Sequence, residues 1–224
     1  MNRGRFITLE GGEGTGKSTL LEALRERLEV AGRTVMVTRE PGGTELAETI
    51  RNLVLHPPEG QVWSSMAEAL LMNAARTDHL EKKIRPALAA GSWVLCDRFA
   101  DSTRVYQSVQ NGVGVEVLKM LESSVLGETR PDLTLVLDAP VEKAALRRAE
   151  RGGHADTFEL RDKAFHEDVR QAFIDVARSE PERCVLLDAY DAKGRVPTHL
   201  QAEPFLAALG KALAHGGLVI ANLW

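Results

Sequence analysis

The glycine-rich segment at residues 11–18 constrains the fold of this chain more than any other part of the sequence. It reads Gly-Gly-Glu-Gly-Thr-Gly-Lys-Ser and fits the pattern G-x-x-x-x-G-K-[ST]. Glycines let a backbone turn tightly, so that successive N–H groups can surround closely spaced phosphate oxygens. In this pattern the lysine adds a charge beside the terminal phosphates, and the serine hydroxyl can bind Mg²⁺. The segment therefore predicts a phosphate-binding loop (P-loop), and the alternative is an ordinary glycine-rich turn.

The residues on either side of this segment favour the P-loop. Residues 5–9, Arg-Phe-Ile-Thr-Leu, have the composition of a short β-strand. After the loop, leucines recur on one face of a predicted helix that Gly32 ends, at Leu20, Leu21, Leu24 and Leu28. A strand, a tight turn and a helix in this order aim a helix N-terminus at an anion. The expected ligand is ATP, and the residues expected to bind it are Gly11, Gly12, Glu13, Gly14, Thr15, Gly16, Lys17, Ser18 and Thr19.

The composition of the 224 residues restricts the class of protein. Hydrophobic residues make up 44% and charged residues 27%, which is ordinary for a globular protein, and we expect residues 1–224 to form a single domain. The net charge of −4 and the lack of a basic tract argue against a nucleic-acid polymer as partner. We expect no signal peptide, and we find no apolar run long enough for a membrane span. Cys96 and Cys184 are not spaced as metal ligands, so we expect reduced core thiols in a cytoplasmic protein without a membrane partner.

Predicted strands and helices alternate along the chain. The strands are apolar runs at residues 5–9, 33–38, 93–97, 133–138 and 184–188, with helices between them. Such alternation predicts an α/β fold in which a five-stranded parallel sheet lies between two helical layers, a three-layer α/β/α architecture. In such sheets the functional residues lie at the carboxyl ends of the strands.

Capping and periodicity predict several helices in more detail. Thr44 is expected to cap a helix whose inward residues are Leu46, Ile50, Leu53 and Val54. A long helix begins near Ser64, where Ser65 and Glu68 have the spacing of a capping box, and Pro86 is expected to break or kink it. Further helices are predicted at 115–126, 141–150 and 202–215, and around a buried face of Phe165, Val169, Phe173 and Val176.

Two predicted strands end in an aspartate, at Asp97 and Asp138. Either carboxylate can complete a Mg²⁺ site with the hydroxyl of Ser18. Asp97 is favoured because the next residue, Arg98, brings a cation to where phosphate groups would lie. Asp138 precedes Ala-Pro, which is typical of a structural position. The sequence thus predicts Mg²⁺ at Ser18 and Asp97.

Four arginines are predicted at the carboxyl edge of the sheet or on helices facing it, namely Arg39, Arg51, Arg76 and Arg98. A guanidinium group can bind a phosphate through two hydrogen bonds, where lysine makes a point contact. A single arginine of this kind is usually a solvated surface residue, but four indicate a second phosphate pocket opposite the P-loop. Two phosphate pockets are typical of a kinase whose acceptor is itself a phosphate.

Several motifs follow one another in an order found in one family. They are Glu-Gly at 10–11 leading into the P-loop, Thr-Arg-Glu-Pro-Gly-Gly-Thr at 38–44, Ala-Arg at 75–76, Asp-Arg-x-x-x-Ser-Thr-x-x-Tyr-Gln at 97–107 and Arg-Pro-Asp-Leu-Thr at 130–134. With them the chain resembles thymidylate kinases, the dTMP kinases of the nucleoside monophosphate kinase group, over residues 5–190. The P-loop is shared by many NTPases, whereas the motifs at 38–44 and 97–107 are far more specific.

The resemblance implies Mg²⁺-dependent, in-line transfer of the ATP γ-phosphoryl group to dTMP, giving dTDP. The attacking phosphate is already ionised at neutral pH, so no general base is expected. The residues implied in catalysis are Lys17, Glu13, Arg98 and an arginine of the lid. Those implied in dTMP binding are Arg51 and Arg98 on the phosphate, Glu13 near the sugar 3′-OH, Arg76 and Gln107 on the thymine edge, and around them Arg39, Glu40, Met72, Ser102, Thr103 and Tyr106. Family members are commonly homodimers, so a homodimer is expected.

A small mobile lid is expected at residues 147–162. It should supply the arginine that neutralises charge on the transferred group. Arg151 is the first choice because it precedes the flexible pair Gly152-Gly153, with Arg147 second and Arg161 third.

The sequence departs from the family pattern at three positions. Met72 stands where an aromatic residue usually stacks on thymine, Ser108 replaces the glycine after the Tyr-Gln pair, and Thr157 replaces a lid arginine. Met72 keeps open the alternative of a kinase for another nucleoside monophosphate. A GTPase that acts through partners is disfavoured because the chain has no Asn-Lys-x-Asp segment. The apolar tail at 216–224 has no counterpart in the family.

Overall fold

A five-stranded parallel sheet lies at the centre of the structure, a computed structural model that describes residues 3–152 and 156–189 apart from the side chain of Arg151. The strand order is β2-β3-β1-β4-β5. The strands are β1 (Phe6–Glu10), β2 (Val35–Arg39), β3 (Trp93–Asp97), β4 (Leu133–Asp138) and β5 (Cys184–Asp188). The predicted α/β class with five parallel strands is confirmed.

Eight α-helices are described between and after these strands. They are α1 (Lys17–Val30), α2 (Glu45–Leu55), α3 (Ser65–His79), α4 (Arg85–Ala89), α5 (Ala100–Tyr106), α6 (Val115–Leu126), α7 (Val141–Arg151) and α8 (Lys163–Ser179). The helix predicted at 202–215 and the apolar tail lie outside the described residues, as does part of the predicted lid. None of the described helices has both the length and the apolar character needed to cross a membrane.

The two faces of β1 pack against different helical layers, as the alternation of side chains along a strand requires. Ile7 and Leu9 belong to a core cluster that includes three leucines of α1. Phe6 belongs to another cluster, with Leu80 and Leu88 from the opposite side. Both faces of the sheet are therefore covered, which explains why its inner strands read as nearly continuous apolar runs.

The carboxyl ends of β1 and β3 lie side by side in the sheet. Leu9 of β1 is in register with Asp97 of β3, and the N–H of Arg98 donates to the Leu9 carbonyl at 2.9 Å. The segment after β1 is the P-loop, and the segment after β3 is the Asp-Arg motif. This pairing brings the two motifs to one edge of the sheet, although 80 or so residues separate them in the sequence.

Two details of the predicted helices are wrong. On α2, Thr44 is the cap, as predicted, but Leu46 is 58% and Leu53 40% exposed, while the buried residues are Ala47, Val54 and Leu55. On α3 the cap is Ser64, whose hydroxyl accepts from the N–H of Ala67, and not Ser65. Glu68 takes no part in capping. It is buried and accepts a hydrogen bond from Gln107.

Pro86 neither ends the long helix nor leaves a gap in it. A π-helical turn, Leu80–Ile84, joins α3 to α4, and Pro86 lies in the first turn of α4. Proline has no N–H and its ring conflicts with the carbonyl four residues earlier, so a local change of helical register before it accommodates the ring.

Candidate active site

The P-loop wraps around the ammonium group of Lys17, the first residue of α1. Its Nζ donates to the carbonyl oxygens of Gly11 at 3.1 Å and Gly12 at 2.8 Å, and the residue is only 6% exposed. Gly11 has a φ of +129°, and a Cβ atom there would lie 2.4 Å from the carbonyl oxygen of Leu137. Only glycine fits at that position, because the loop crosses directly over β4.

Burial weakens the protonated form of Lys17. Removal from water, followed by repulsion from Arg98, lowers the pKa of Lys17 to about 8. A phosphate group brought beside the ammonium would favour the charged form again. The loop therefore holds a cation in a place that lacks enough negative charge, as an anion-binding site requires.

Arg98 connects the P-loop to helix α5. Its backbone has a φ of +67°, in the left-handed region that is unusual for a residue with a side chain. The guanidinium group lies over the ring of Tyr106, and it donates to Gly11 O at 2.9 Å, Ser102 Oγ at 3.0 Å, Glu13 Oε1 at 2.6 Å and Tyr106 OH at 3.2 Å. A strained backbone held by this many contacts is typical of a functional position.

Glu10 is a buried carboxyl group that the sequence analysis did not select. It ends β1 and accepts hydrogen bonds from the N–H of Phe99 at 2.8 Å and from the Ser102 hydroxyl at 2.6 Å. Burial, and then the charge of Asp101, raise its pKa to about 7. A sequence signal existed, because Glu10 ends an apolar strand in the same way as Asp97. Its contacts fix the start of α5 and the hydroxyl that receives a hydrogen bond from Arg98.

The carboxylate of Asp97 faces the hydroxyl of Ser18 at 3.4 Å. Its second oxygen, Oδ1, is buried and has no hydrogen-bond partner among the described residues. Asp138 is in a different position, since both of its oxygens accept from Arg170, at 2.6 and 2.8 Å. A buried carboxylate oxygen without a partner fits an oxygen-ligated cation, and this favours Asp97 over Asp138 as the metal-site residue.

The described residues contain no group of three His, Cys, Asp or Glu side chains that could hold a metal ion by themselves.

Arg76 and Glu40 form a buried ion pair at the acceptor side of the cleft. Arg76 Nε donates to Glu40 at 2.7 Å, and the two side chains are 2% and 3% exposed. His79, which the sequence analysis did not select, lies 3.0 Å from the other Glu40 oxygen and 2.7 Å from the Thr38 hydroxyl. A Cβ atom at Gly43 would lie 2.4 Å from the His79 ring, which explains the second glycine of the Pro-Gly-Gly turn. The 38–44 motif is thus fixed against α3 by a polar network.

Arg51 and Arg39 lie at the outer part of the acceptor side. Arg51 donates to the carbonyl of Pro41 at 2.9 Å, and Arg39 pairs with Glu48 at 3.1 Å while remaining 56% exposed. Burial, and then the charge of Arg39, lower the pKa of Arg51. This repulsion between the two guanidinium groups would be relieved by an anion bound between them.

The inner end of the cleft has an apolar side and a polar side. Met72 packs in a buried cluster with Tyr106 and Phe158, and Tyr106 meets the Phe158 ring edge to face at 5.4 Å. Thr103 accepts a hydrogen bond from Arg76 at 2.9 Å, and the Gln107 amide donates to Glu68 at 3.1 Å. An apolar wall with a few fixed polar groups is suited to the flat ring of a base.

Two arginines of α7 lie against the P-loop. Arg147 donates to the Thr19 hydroxyl at 3.0 Å, and Arg148 to the Glu13 carbonyl at 3.2 Å. Both line the cleft, and Nη1 of Arg147 is buried without a partner among the described residues. The guanidinium of Arg161 instead lies over the ring of Phe165, 5.3 Å from its centre. The side chain of Arg151 lies outside the description.

Most residues of the two sets predicted from sequence line one cleft of about 660 Å³, whereas Gly11, Gly12 and Thr15 are not among its lining residues. From the P-loop side it is lined by Glu13, Gly14, Gly16, Lys17, Ser18 and Thr19, and from the acceptor side by Arg39, Glu40, Arg51, Met72, Arg76, Asp97, Arg98, Ser102, Thr103, Tyr106 and Gln107. Cationic groups line both the P-loop side and the acceptor side, so the cleft can bind two phosphorylated molecules with their phosphates facing each other.

Comparison with known proteins agrees with this geometry. The family model described as thymidylate kinase matches residues 9–199. The thymidylate kinase of Caulobacter vibrioides is 52% identical over 189 residues, 84% of this chain and 90% of that protein. That of Nitrobacter hamburgensis is 53% identical over 191 residues, with 84% and 82% covered. The crystal structure of thymidylate kinase from Ehrlichia chaffeensis has a TM-score of 0.71 and 31% identity, and the match covers 92% of this chain and 99% of that one. The chain therefore belongs to the thymidylate kinase family, and it is a kinase.

Proposed function

We propose that this kinase transfers the γ-phosphoryl group of ATP to the phosphate of dTMP, giving dTDP for dTTP synthesis. One observation carries the proposal: a single cleft joins the P-loop to a second group of guanidinium side chains and, beyond them, to a pocket with an apolar wall. A GTPase switch has no use for the second phosphate site. The acceptor is therefore a small phosphorylated molecule with a flat ring.

At the donor end, the backbone N–H groups of the loop and the ammonium of Lys17 bind the ATP phosphates. Lys17 exchanges its hydrogen bonds to the Gly11 and Gly12 carbonyls for phosphate oxygens. Its full positive charge then faces the group that is transferred, because a neighbouring phosphate raises its lowered pKa again.

Mg²⁺ would be held by the Ser18 hydroxyl and the Asp97 carboxylate, whose partnerless oxygen supports this assignment. When bound there, it supplies positive charge that neutralises the phosphate oxygens of ATP.

At the acceptor end, Arg51 and Arg98 bind the dTMP phosphate, with Arg39 beside them. Arg98 is held by Glu13, Ser102 and Tyr106, so that little reorganisation is needed when the substrate arrives. Arg76 and Gln107 meet the polar edge of thymine, while Met72 and Tyr106 pack on its ring and methyl group.

No general base is required in this mechanism. The attacking oxygen belongs to a phosphate that is ionised at neutral pH, and the chain contributes in-line positioning and neutralisation of charge. Glu13, the carboxylate within the P-loop, is bound to Arg98 at 2.6 Å and serves to orient that guanidinium and the sugar 3′-OH.

We further propose that residues 147–162 act as a lid within a single domain and that an arginine of this segment completes the charge around the transferred group. Arg151 remains the first candidate and Arg147 the second, supported by its contact with Thr19, while the contact of Arg148 with the Glu13 carbonyl adds Arg148 to the set. The enzyme would act in the cytoplasm, where its buried thiols, Cys96 and Cys184, stay reduced.

Homodimerisation is the last part of the proposal. Large apolar side chains are exposed on α2, α3 and α6, which pack against one another through α3. They are Leu46, Leu53, Met66, Leu70, Val117 and Met120. Exposed apolar groups on adjacent helices support an interface with a second copy of the chain.

A coupled assay of ADP release tests the function. Each common nucleoside monophosphate is offered as acceptor with Mg-ATP, and dTMP is expected to give the highest kcat/KM, followed by dUMP. Equal or faster turnover of AMP or CMP would show that the acceptor has been misassigned.

A further inference from the structure

A buried carboxylate lies directly behind the polar end of the cleft. Glu68, on α3, is 4% exposed and does not line the cleft, whereas Gln107, at the end of α5, is 1% exposed and does. Nε2 of Gln107 donates to Oε2 of Glu68 at 3.1 Å. Within the described residues this is the only hydrogen bond of either side chain.

The main chain of Gln107 is fixed independently of this bond. Its N–H donates to the Thr103 carbonyl at 3.2 Å, and its carbonyl accepts from Val113 at 2.7 Å. With the main chain fixed, what remains to be set is which way the side-chain amide of Gln107 is turned. An amide has one side that donates and one that accepts, and the two are nearly equal in shape. A carboxylate can only accept, so it selects the orientation in which the NH₂ group points away from the cleft.

We propose that Glu68 is a positioning residue that turns the Gln107 carbonyl oxygen toward the acceptor base and so makes an N–H donor on that base a condition of binding. Thymine and uracil offer such a donor at N3. Cytosine offers a lone pair there, which would face the lone pairs of Gln107. Arg76, a donor on the same wall, suits the adjacent carbonyl of thymine or uracil and not the amino group of cytosine.

This inference rests on the proposed function, since it defines the specificity of the same pocket. The physical basis is that a site built to hydrogen-bond a substrate N–H rejects analogues without it far more strongly than an apolar pocket rejects a missing methyl group. Specificity for the imide edge then depends on a side chain that the substrate never touches.

The variant Glu68→Gln tests the proposal. Glutamine keeps the size of the side chain, but it can donate as well as accept, so the Gln107 amide can turn. The pair dUMP and dCMP is the proper probe, because both lack the methyl group and differ only along the edge in question. We expect the kcat/KM ratio of dUMP to dCMP to fall by about tenfold or more, mainly through KM, while the KM for ATP stays unchanged.

Glu122→Gln is the matched control. Glu122 is also a buried helical carboxylate, 7% exposed, but it pairs with Arg104 and lies outside the cleft lining. It should leave the dUMP to dCMP ratio unchanged even if stability falls. Gln107→Met is a second test that does not depend on the folding of the Glu68 variant, and it should lower the same ratio.

The outcomes separate the two claims. Suppose that the wild-type enzyme turns over dTMP, but a folded Glu68→Gln or Gln107→Met variant changes the dUMP to dCMP ratio of kcat/KM by less than about twofold. Such a change corresponds to less than ~0.5 kcal/mol of activation free energy. The positioning role of Glu68 is then refuted, and the proposed function stands. If the wild-type enzyme fails to phosphorylate both dTMP and dUMP, both are refuted.

Discussion

Lys17 combines burial with a position at the start of a helix. It is 6% exposed, and two loop carbonyls accept its hydrogen bonds. The desolvation of a buried ammonium largely offsets what these bonds contribute to stability. Under the proposed function, we therefore expect its net role to be to carry charge to the phosphates, and not to hold the fold.

Lys17→Ala should accordingly keep the fold and lose the reaction. We expect kcat to fall by at least about 10²-fold, as when one preorganised donor is removed from a developing negative charge. Coupled ADP release and thermal unfolding are the two measurements. Lys119→Ala, on the exposed face of α6, is the control and should be neutral in both. A Lys17 variant that keeps most of its kcat would disprove the assignment of the P-loop.

We expect Met72 to set how well the pocket discriminates the thymine methyl group. It is 8% exposed and packs with Tyr106, where a flexible thioether fills space less rigidly than a ring. Burying one methyl group contributes about 1 kcal/mol, or roughly fivefold in kcat/KM. Met72→Phe should raise the preference for dTMP over dUMP toward that value. Met66→Phe, on the exposed side of the same helix, is the control and should leave the preference for dTMP over dUMP unchanged. An unchanged preference in Met72→Phe would show that Met72 takes no part in recognising the methyl group.

The helix α7 supplies cations to the P-loop from its last two turns. Arg147 and Arg148 already contact Thr19 and the Glu13 carbonyl, and Arg151 is one turn further on. An arginine supplied to a transferring phosphoryl group is worth ~10³ or more in rate.

Single alanine substitutions identify the arginine that neutralises charge on the transferred phosphoryl group. The positions are Arg147, Arg148, Arg151 and Arg161. The effective variant should lower kcat by about 10³-fold while the KM for dTMP changes little, because the contact is made mainly in the transition state. Arg161→Ala should be the mildest, since its guanidinium lies over Phe165 outside the cleft lining. If all four variants keep kcat within about twofold of the wild type, a change in activation free energy under ~0.5 kcal/mol, then none of these arginines neutralises the transferred group.

Some elements were predictable to the residue and others were not. Strands β3, β4 and β5 and helix α6 have the predicted bounds, because glycine, proline or a terminal aspartate limits each apolar run. The contacts of Glu10, Glu68 and His79 were not predictable, although the place of Glu10 at a strand end was a signal. Each depends on a partner between 39 and 92 residues away in the sequence, and periodicity carries no information about such pairs.

The prediction of the inward face of α2 was wrong for a different reason. Leu46 and Leu53 are apolar at helical spacing, and a single sequence cannot distinguish a face that packs in its own core from one that packs elsewhere. Their exposure is consistent with the proposed interface with a second copy of the chain.

The molecule as a whole places its substrate pocket next to the exposed apolar helices. Helix α3 carries Met72 and Arg76 on its cleft side and Met66 and Leu70, 41% and 50% exposed, on its outer side. Covering the outer side with a second copy would remove this apolar area from water and would also restrain the helix that bears Met72 and Arg76, the residues proposed to bind the base.

This argument predicts a dimer in solution that a single charge can weaken. Sedimentation equilibrium should give twice the chain mass of 24.5 kDa for the wild-type protein and a shift toward one chain for Leu70→Glu or Met120→Glu. Leu146→Glu, on α7, is the control, since Leu146 is 66% exposed but lies on a helix outside the proposed interface. The monomeric variants should also show a raised KM for dTMP, because α3 loses its outer support. A wild-type protein that sediments as a single chain at all concentrations would leave Leu46, Leu53 and Leu70 as solvent-exposed residues and would rule out this interface.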